Sequence, residues 1–361
     1  MTLTRKILSA FLTLVAVGLV SLAVAVSYDA PCGPAAALPE KATPMRAVVY
    51  RCYGSPDVLH VEQIEKPTPA DDEVLVKVRA ASMNPYDWHF MTGTPYIMRL
   101  DGGIGAPEVP RLGVDFAGTV EAVGRNVKRY KPGDGVFGAR YGAFAEYVDV
   151  RESRIVAVPA NVSFEQAASI PIAALTALQG LRDKGHLRPG QKVLVNGASG
   201  GVGTFAVQIG KALGAEVTGV CSTRNVEMVR ALGADHVVDY KNEDFTKSAE
   251  RYDVIFDNVG NHPLRAYRSV MQPDGVYVMV GGPKTNKWLG PLGKAAAAFV
   301  LDPFVSQELV IHLSQMNDAD LAFIADLMQA GKVTAVIDRR YTLEQVPDYM
   351  EIGRASCRER V

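Results

Sequence analysis

Val193-Leu194-Val195-Asn196-Gly197-Ala198-Ser199-Gly200-Gly201-Val202-Gly203, continuing as Thr204-Phe205-Ala206-Val207-Gln208-Ile209-Gly210-Lys211-Ala212-Leu213, reads as a short apolar strand, a glycine turn and a helix without interruption. Such a run decides the fold class. Bare backbone amides at a helix N-terminus favour a pyrophosphate, and missing Cβ atoms let it approach. The pattern is Ala198-x-Gly200-x-x-Gly203, with alanine where the dinucleotide fingerprint has its first glycine, so alone it is a weak signal. Its surroundings strengthen it: a second strand is expected at Glu216–Cys221, and strand-like runs recur at Asp235–Asp239, Tyr252–Asn258 and Gly275–Gly281. That is the spacing of successive βαβ units, and it implies an α/β chain with a doubly wound parallel sheet.

The kind of dinucleotide is read at the end of Glu216–Cys221, where a carboxylate would bind both ribose hydroxyls of NAD. No acid stands there. Ser222-Thr223-Arg224-Asn225 offers hydroxyls and a planar guanidinium, donors suited to a 2′-phosphate, so NADPH is expected over NADH.

The chain has 361 residues, more than one typical core, which suggests two domains. A hydrophobic fraction of 48% with 21% charged residues is ordinary for a globular enzyme. The net charge of −1, without a basic stripe or aromatic-basic interleaving, argues against a nucleic-acid partner. Cys32, Cys52, Cys221 and Cys357 lie far apart with no CxxC pair, which argues against a cysteine zinc cluster and against a disulfide framework.

Two segments stand outside this fold. Arg5-Lys6 precede an uncharged run, Ile7–Val26, long enough to span a hydrocarbon core of about 30 Å. A single-pass membrane anchor is favoured over a cleaved signal, although Ala23-Val24-Ala25 resembles a cleavage site. A Pro/Ala linker, Pro31–Pro44, then leads to Met45, an alternative start that would give a cytoplasmic form. The positive-inside rule puts the remaining chain across the membrane, in conflict with NADPH supply. At the other end, Ile352–Val361 reads as translated sequencing-adaptor DNA, so the natural chain is expected to differ beyond Met350.

Between these ends, alternating runs such as Arg46–Tyr50 and Val74–Val78, punctuated by Gly and Pro turns, imply a β-barrel ahead of the α/β unit. Glycines in Gly113–Gly124 and Gly133–Gly138 stand where barrel strands must bend or pass closely. The expected division is an anchor or signal at 1–27, a linker at 28–44, a barrel domain at 45–165 completed by 319–350, a dinucleotide domain at 166–318, and a foreign tail at 351–361.

Val120 to Val123-Gly124, Lys131-Pro132-Gly133-Asp134, Ala143-Phe144-Ala145-Glu146-Tyr147, Ala173-Ala174-Leu175-Thr176-Ala177 and Gly197–Gly203 occur together in one order. In this the chain from Met45 to Met350 resembles the medium-chain dehydrogenase/reductase family, in its zinc-free quinone oxidoreductase and enoyl reductase branch. The resemblance implies a GroES-like barrel, a Rossmann domain for NADPH and an active site between them. It further implies hydride transfer to a quinone or α,β-unsaturated carbonyl, a small-molecule substrate, and a possible homodimer. The family's zinc-dependent members use a cysteine in the first barrel loop and a histidine-glutamate pair after a later glycine. Here those places read Ala81-Ser82-Met83-Asn84-Pro85-Tyr86-Asp87-Trp88 and Gly113-Val114-Asp115, so no metal is expected.

By resemblance, Asn84 lies near the nicotinamide ribose and Tyr86 donates to substrate oxygen; the plainer readings are that Asn84 caps a turn and Tyr86 packs on the barrel rim. Trp88 lines the pocket or fills core. Ser199, Gly201, Val202 and Gly203, with Gly200 of the fingerprint, are carried to the pyrophosphate, and Ser222 and Arg224 to the 2′-phosphate. Tyr240 matches a family tyrosine near the adenosine phosphate. Asn258, Gly281 and Gly282 stand at later strand ends, the edge where such sheets bind ligands. The substrate pocket is expected to depend on Pro95–Val109 and Lys284–Phe304. The alternative is an NADPH-binding, membrane-tethered protein with little turnover, since binding needs only the Rossmann half.

Overall fold

The first element of the computed structural model, which describes residues 3–35, 37–282, 287–288, 293, 298 and 305–351, is a long apolar helix, α1 (Leu3–Ser27). Within it Ala10–Ser27 is long and apolar enough to cross a membrane, and its side chains are almost wholly exposed.

Strands β1 (Pro44–Val49) and β2 (His60–Glu65) pair antiparallel. Then come β3 (Glu73–Ser82), helices α2 (Pro85–Thr92) and α3 (Arg99–Gly102), β4 (Asp115–Val123), β5 (Gly135–Ala139), β6 (Tyr147–Arg151) and β7 (Ile155–Ala157). The last five strands form an antiparallel sheet in the order β6-β3-β4-β5-β7. Successive strand side chains point to opposite faces, so Val74 and Val76 of β3 meet Val148 and Val150 of β6, Phe116 and Val136 on one buried side.

Helices α4 (Phe164–Ala168) and α5 (Pro171–Gln179) lead into β8 (Lys192–Asn196), α6 (Gly201–Ala212), β9 (Glu216–Cys221), α7 (Val226–Ala231) and β10 (His236–Asp239). There follow β11 (Tyr252–Asp257), α8 (Leu264–Arg268), β12 (Met271–Met279), β13 (Glu308–Ile311) and α9 (Asp318–Gln329). All six strands run parallel in the order β10-β9-β8-β11-β12-β13. The α/β fold is the expected one. Val193, Leu194 and Val195 are wholly buried because helices cover both faces of the sheet. The connections run outward from β8 to β9 and β10 and then the other way through β11, β12 and β13, and at such a switch point a crevice lies outside the carboxyl ends of the strands. Strand β12 starts earlier than Gly275: a register shift opposite Tyr252 and Val254 accommodates Pro273, whose missing N–H hid the first half of the strand from its sequence.

One expectation is corrected. Cys32 and Cys52 form a disulfide, with Cα atoms 4.7 Å apart, whereas their spacing argued against pairing. Tertiary contacts bring them together. Arg99 donates from Nη1 to the carbonyls of Val26 (3.1 Å) and Tyr28 (3.0 Å), and from Nη2 to Asp29 Oδ1 (2.7 Å). Ala30 N–H donates to Gly105 O at 2.9 Å. These bonds lay the segment after α1 along the barrel, a placement that cysteine spacing does not encode. Cys221 is buried and free.

Candidate active site

The glycine turn is built by two close approaches. Gly197 has φ 82°, a conformation that favours glycine, and its N–H and that of Ala198 donate to Val220 O at 3.2 and 2.9 Å. At Gly203 an added Cβ would collide with Gly197 O, so helix and turn touch backbone to backbone. Ahead of them Gly201 is exposed with open space where its Cβ would be, and Gly200 is the N-cap of α6. Ser199 and Val202 flank this opening, half-buried. The Asn258–Val259 loop packs against Gly197, and Gly281 lies so close to Asn258 O that a Cβ would not fit. Asn258 donates from Nδ2 to Asn196 O at 3.1 Å, while its buried Oδ1 has no hydrogen-bond partner. Bare amides at a helix N-terminus beside a buried orphan acceptor fit a dinucleotide.

Ser222 and Arg224 follow β9 on the same edge. Ser222 Oγ accepts from Asn225 Nδ2 at 3.1 Å, and Arg224 is exposed. Tyr240 is half-buried beside them, its N–H on Cys221 O at 3.1 Å and Lys241 Nζ 5.2 Å from its ring centroid. Asp239, which sequence reading passed over, accepts from Thr223 Oγ1 at 2.6 Å and Asn242 Nδ2 at 2.7 Å, and these bonds hold its carboxyl below the usual range. Gly282 lies on the same edge, half-buried.

On the barrel side Asn84 caps α2, and its N–H donates to Asp87 Oδ2 at 2.7 Å. Its side chain does a second thing: Nδ2 donates to Asp115 Oδ2 at 3.0 Å. Asp115 is fully buried, and the same oxygen accepts from the backbone N–H of Ile172 at 3.0 Å, at the start of α5. Asp115 thus joins the barrel to the helix that leads into the parallel sheet. Burial pushes its carboxyl well above the ordinary value, with the Asp87 charge adding to the effect. Burial also pushes Asp87 up, to about 7.

Tyr86 and Tyr141 place their hydroxyls 2.5 Å apart, and Phe90 tilts against both rings. Burial raises both phenols above the ordinary value, so they stay neutral O–H groups. Tyr141, Phe90, Asp87 and Tyr50 line a cavity of about 180 Å³, together with Asp101, Gly102, Val109 and Arg111. Trp88 packs instead against the barrel core with Tyr50, Met91 and Leu112. Of the expected pocket stretch 284–304, only Lys287, Trp288, Gly293 and Ala298 are among the described residues, and the 352–361 tail lies outside them.

Sequence reading missed Tyr141, Asp115 and the Asp257 network. Asp257 accepts from Asn196 Nδ2 (2.8 Å), Gly260 N–H (2.9 Å) and Tyr277 Oη (2.5 Å), fixing the loop that carries Asn258. No local pattern marks these residues. Tyr141 follows β5 in a turn, and the acceptors are assembled only by strand order.

Comparison with known proteins agrees with this geometry. Residues 70–160 match the family described as alcohol dehydrogenase GroES-like domain, and residues 232–355 match zinc-binding dehydrogenase. The chain is 33% identical to the chloroplast envelope quinone oxidoreductase homolog of Arabidopsis thaliana, over 84% of this chain and 93% of that protein. It is 35% identical to the mitochondrial NAD(P)H oxidoreductase RTN4IP1 of Bos taurus, over 88% of each. Among solved structures, the quinone oxidoreductase of Escherichia coli complexed with NADPH superposes with a TM-score of 0.72 at 26% identity, over 86% of this chain and 96% of that one. Glycine cradle, switch-point crevice and a likeness that covers most of the chain together make it a member of the medium-chain dehydrogenase/reductase family, an oxidoreductase of the NAD(P)H-dependent kind.

Proposed function

We propose that the protein reduces a quinone or an α,β-unsaturated carbonyl with NADPH, without zinc, while α1 holds it in a membrane. The observation that carries this reading is Tyr141, which lines the cavity and has its hydroxyl 2.5 Å from that of Tyr86, in a barrel whose metal-ligand places hold no thiolate or imidazole. Ala81 and Ser82 offer zinc nothing soft, and Asp115 Oδ2 is committed to Asn84 and Ile172, so these residues do not fit the ion. The residues of the glycine turn do fit the cofactor, which supplies a hydride when bound. Ser199, Gly200, Gly201, Val202 and Gly203 hold its pyrophosphate, Ser222 and Arg224 its 2′-phosphate, Tyr240 its adenosine end, and Asn258, Gly281 and Gly282 the crevice floor.

Negative charge develops on the substrate oxygen as hydride reaches carbon. Tyr141, with Tyr86 hydrogen-bonded behind it, donates a hydrogen bond to that oxygen and stays an O–H because burial keeps it protonated, and the product anion takes its proton from water. Asn84 and Asp115 act through position, setting the barrel loop against α5.

The test is oxidation of NADPH by the purified full chain against a panel of quinones and enones, with zinc measured in the same preparation. Turnover with NADPH ahead of NADH, and no zinc bound in proportion to protein, is the expected result. One zinc per chain lost together with activity would overturn the metal-free reading. Tight NADPH binding without turnover on any member would favour the binding-protein alternative.

A further inference from the structure

One short segment, residues 96–105, joins the cavity wall to the end of the apolar helix. Arg99 is 2% exposed, stacked 4.4 Å from the Tyr53 ring and 4.6 Å from the Tyr96 ring, and it bonds the carbonyl of Val26, the last apolar residue of the candidate span. An 18-residue helix rises about 27 Å, close to one hydrocarbon thickness, so Val26 marks the membrane boundary when the helix is inserted. Residues 96–105 are therefore held at that boundary by direct contact. In the same segment Ile97, Leu100 and Ile104 are 43%, 52% and 56% exposed, next to Asp101 and Gly102 of the cavity wall. Trp288, 46% exposed, meets Tyr96 edge to face at 5.1 Å, and Tyr28 is exposed at the helix end. Exposed apolar side chains accompanied by Trp and Tyr are what a bilayer interface selects.

We propose that Ile97, Leu100, Ile104 and Trp288 form a lip that rests in the lipid interface beside α1, so that the cavity opens toward the bilayer and takes a lipid-dissolved quinone or enone from it. The occupant of this apolar face is the membrane surface itself. The inference rests on the anchored-reductase reading above and names its substrate class.

Two measurements on the full chain in phosphatidylcholine vesicles test it. Vesicles with brominated acyl chains quench Trp288 fluorescence, and Trp288→Phe, which leaves Trp88 as the other indole, loses most of the quenchable signal. The Leu100→Ser/Ile104→Ser double variant raises KM for a long-chain quinone held in the vesicles by about tenfold or more, the loss expected when two aliphatic side chains that are half-inserted in lipid are removed, and changes KM for a short water-soluble quinone far less. Absence of Trp288 quenching while α1 resists carbonate extraction overturns the lip and leaves the anchor standing. Extraction of the protein by carbonate overturns anchor and lip together. An equal change of KM for both quinones overturns delivery from the bilayer, and quenching without turnover on any quinone or enone upholds the lip while defeating the reductase reading.

Discussion

At the scale of single residues, three changes separate the roles assigned here. Tyr141→Phe removes the donor at the cavity wall and is expected to lower kcat by about a hundredfold, the usual loss for one oxyanion donor, with NADPH affinity unchanged. Steady-state kinetics with cofactor titration reads both. Arg224→Ala removes the charge-assisted contact proposed for the 2′-phosphate, worth about 1.5–3 kcal/mol, so a preference for NADPH over NADH should fall tenfold or more by binding titration. Asp87 gives a pH signature. Its folded value, raised to about 7 by burial, lies above the unfolded one, so the folded chain keeps a proton that the unfolded chain gives up. Stability from this group is complete below the unfolded value and is lost as pH rises toward 7, at up to about 1.4 kcal/mol per pH unit. Asp87→Asn keeps an acceptor for the Asn84 N–H and should flatten that slope in thermal melts between pH 4 and 7. An unchanged slope would show that Asp87 is not the titrating group.

At the scale of elements, the strand-turn-helix run was the most legible part of the chain because what builds it is local: strand, glycine turn and helix N-terminus follow one another directly. Gly203 and Gly201 test it in opposite ways. Gly203→Ala drives a methyl into Gly197 O and should unfold or strongly destabilise the β8–α6 turn, seen as a lower thermal midpoint. Gly201→Ala meets open space in the free protein, so the midpoint should hold while NADPH binding weakens, because the methyl would stand in the proposed pyrophosphate site. Equal effects of the two on stability would refute the cradle. Less was legible in the barrel. Asn84 could be named from its loop, yet its partner Asp115 lies 31 positions away and Tyr141 is 55 positions from Tyr86, separations that only the β3–β4–β5 pairing closes. The early start of β12 stayed hidden for the opposite reason, a local proline signal overridden by a bulge.

At the scale of the whole molecule, the first 44 residues are less separable than composition suggested. Met45 begins a self-sufficient run of barrel sequence, but a chain started there loses Val26, Tyr28 and Asp29, three of the four groups that accept from the nearly buried Arg99, and keeps only Gly93 O at 2.7 Å. Such a chain should melt several degrees below the full one, since a guanidinium stripped of partners costs a few kcal/mol. Equal midpoints would mean the clamp is dispensable. The Cys32–Cys52 bond has its own consequence for handling. The stretch between Cys32 and β1 is almost entirely exposed and carries no regular secondary structure where it is described, which is where proteases cut. A single nick there leaves both fragments covalently joined, so they migrate as one band until thiol is added, and only then does the helix-bearing piece separate on a gel.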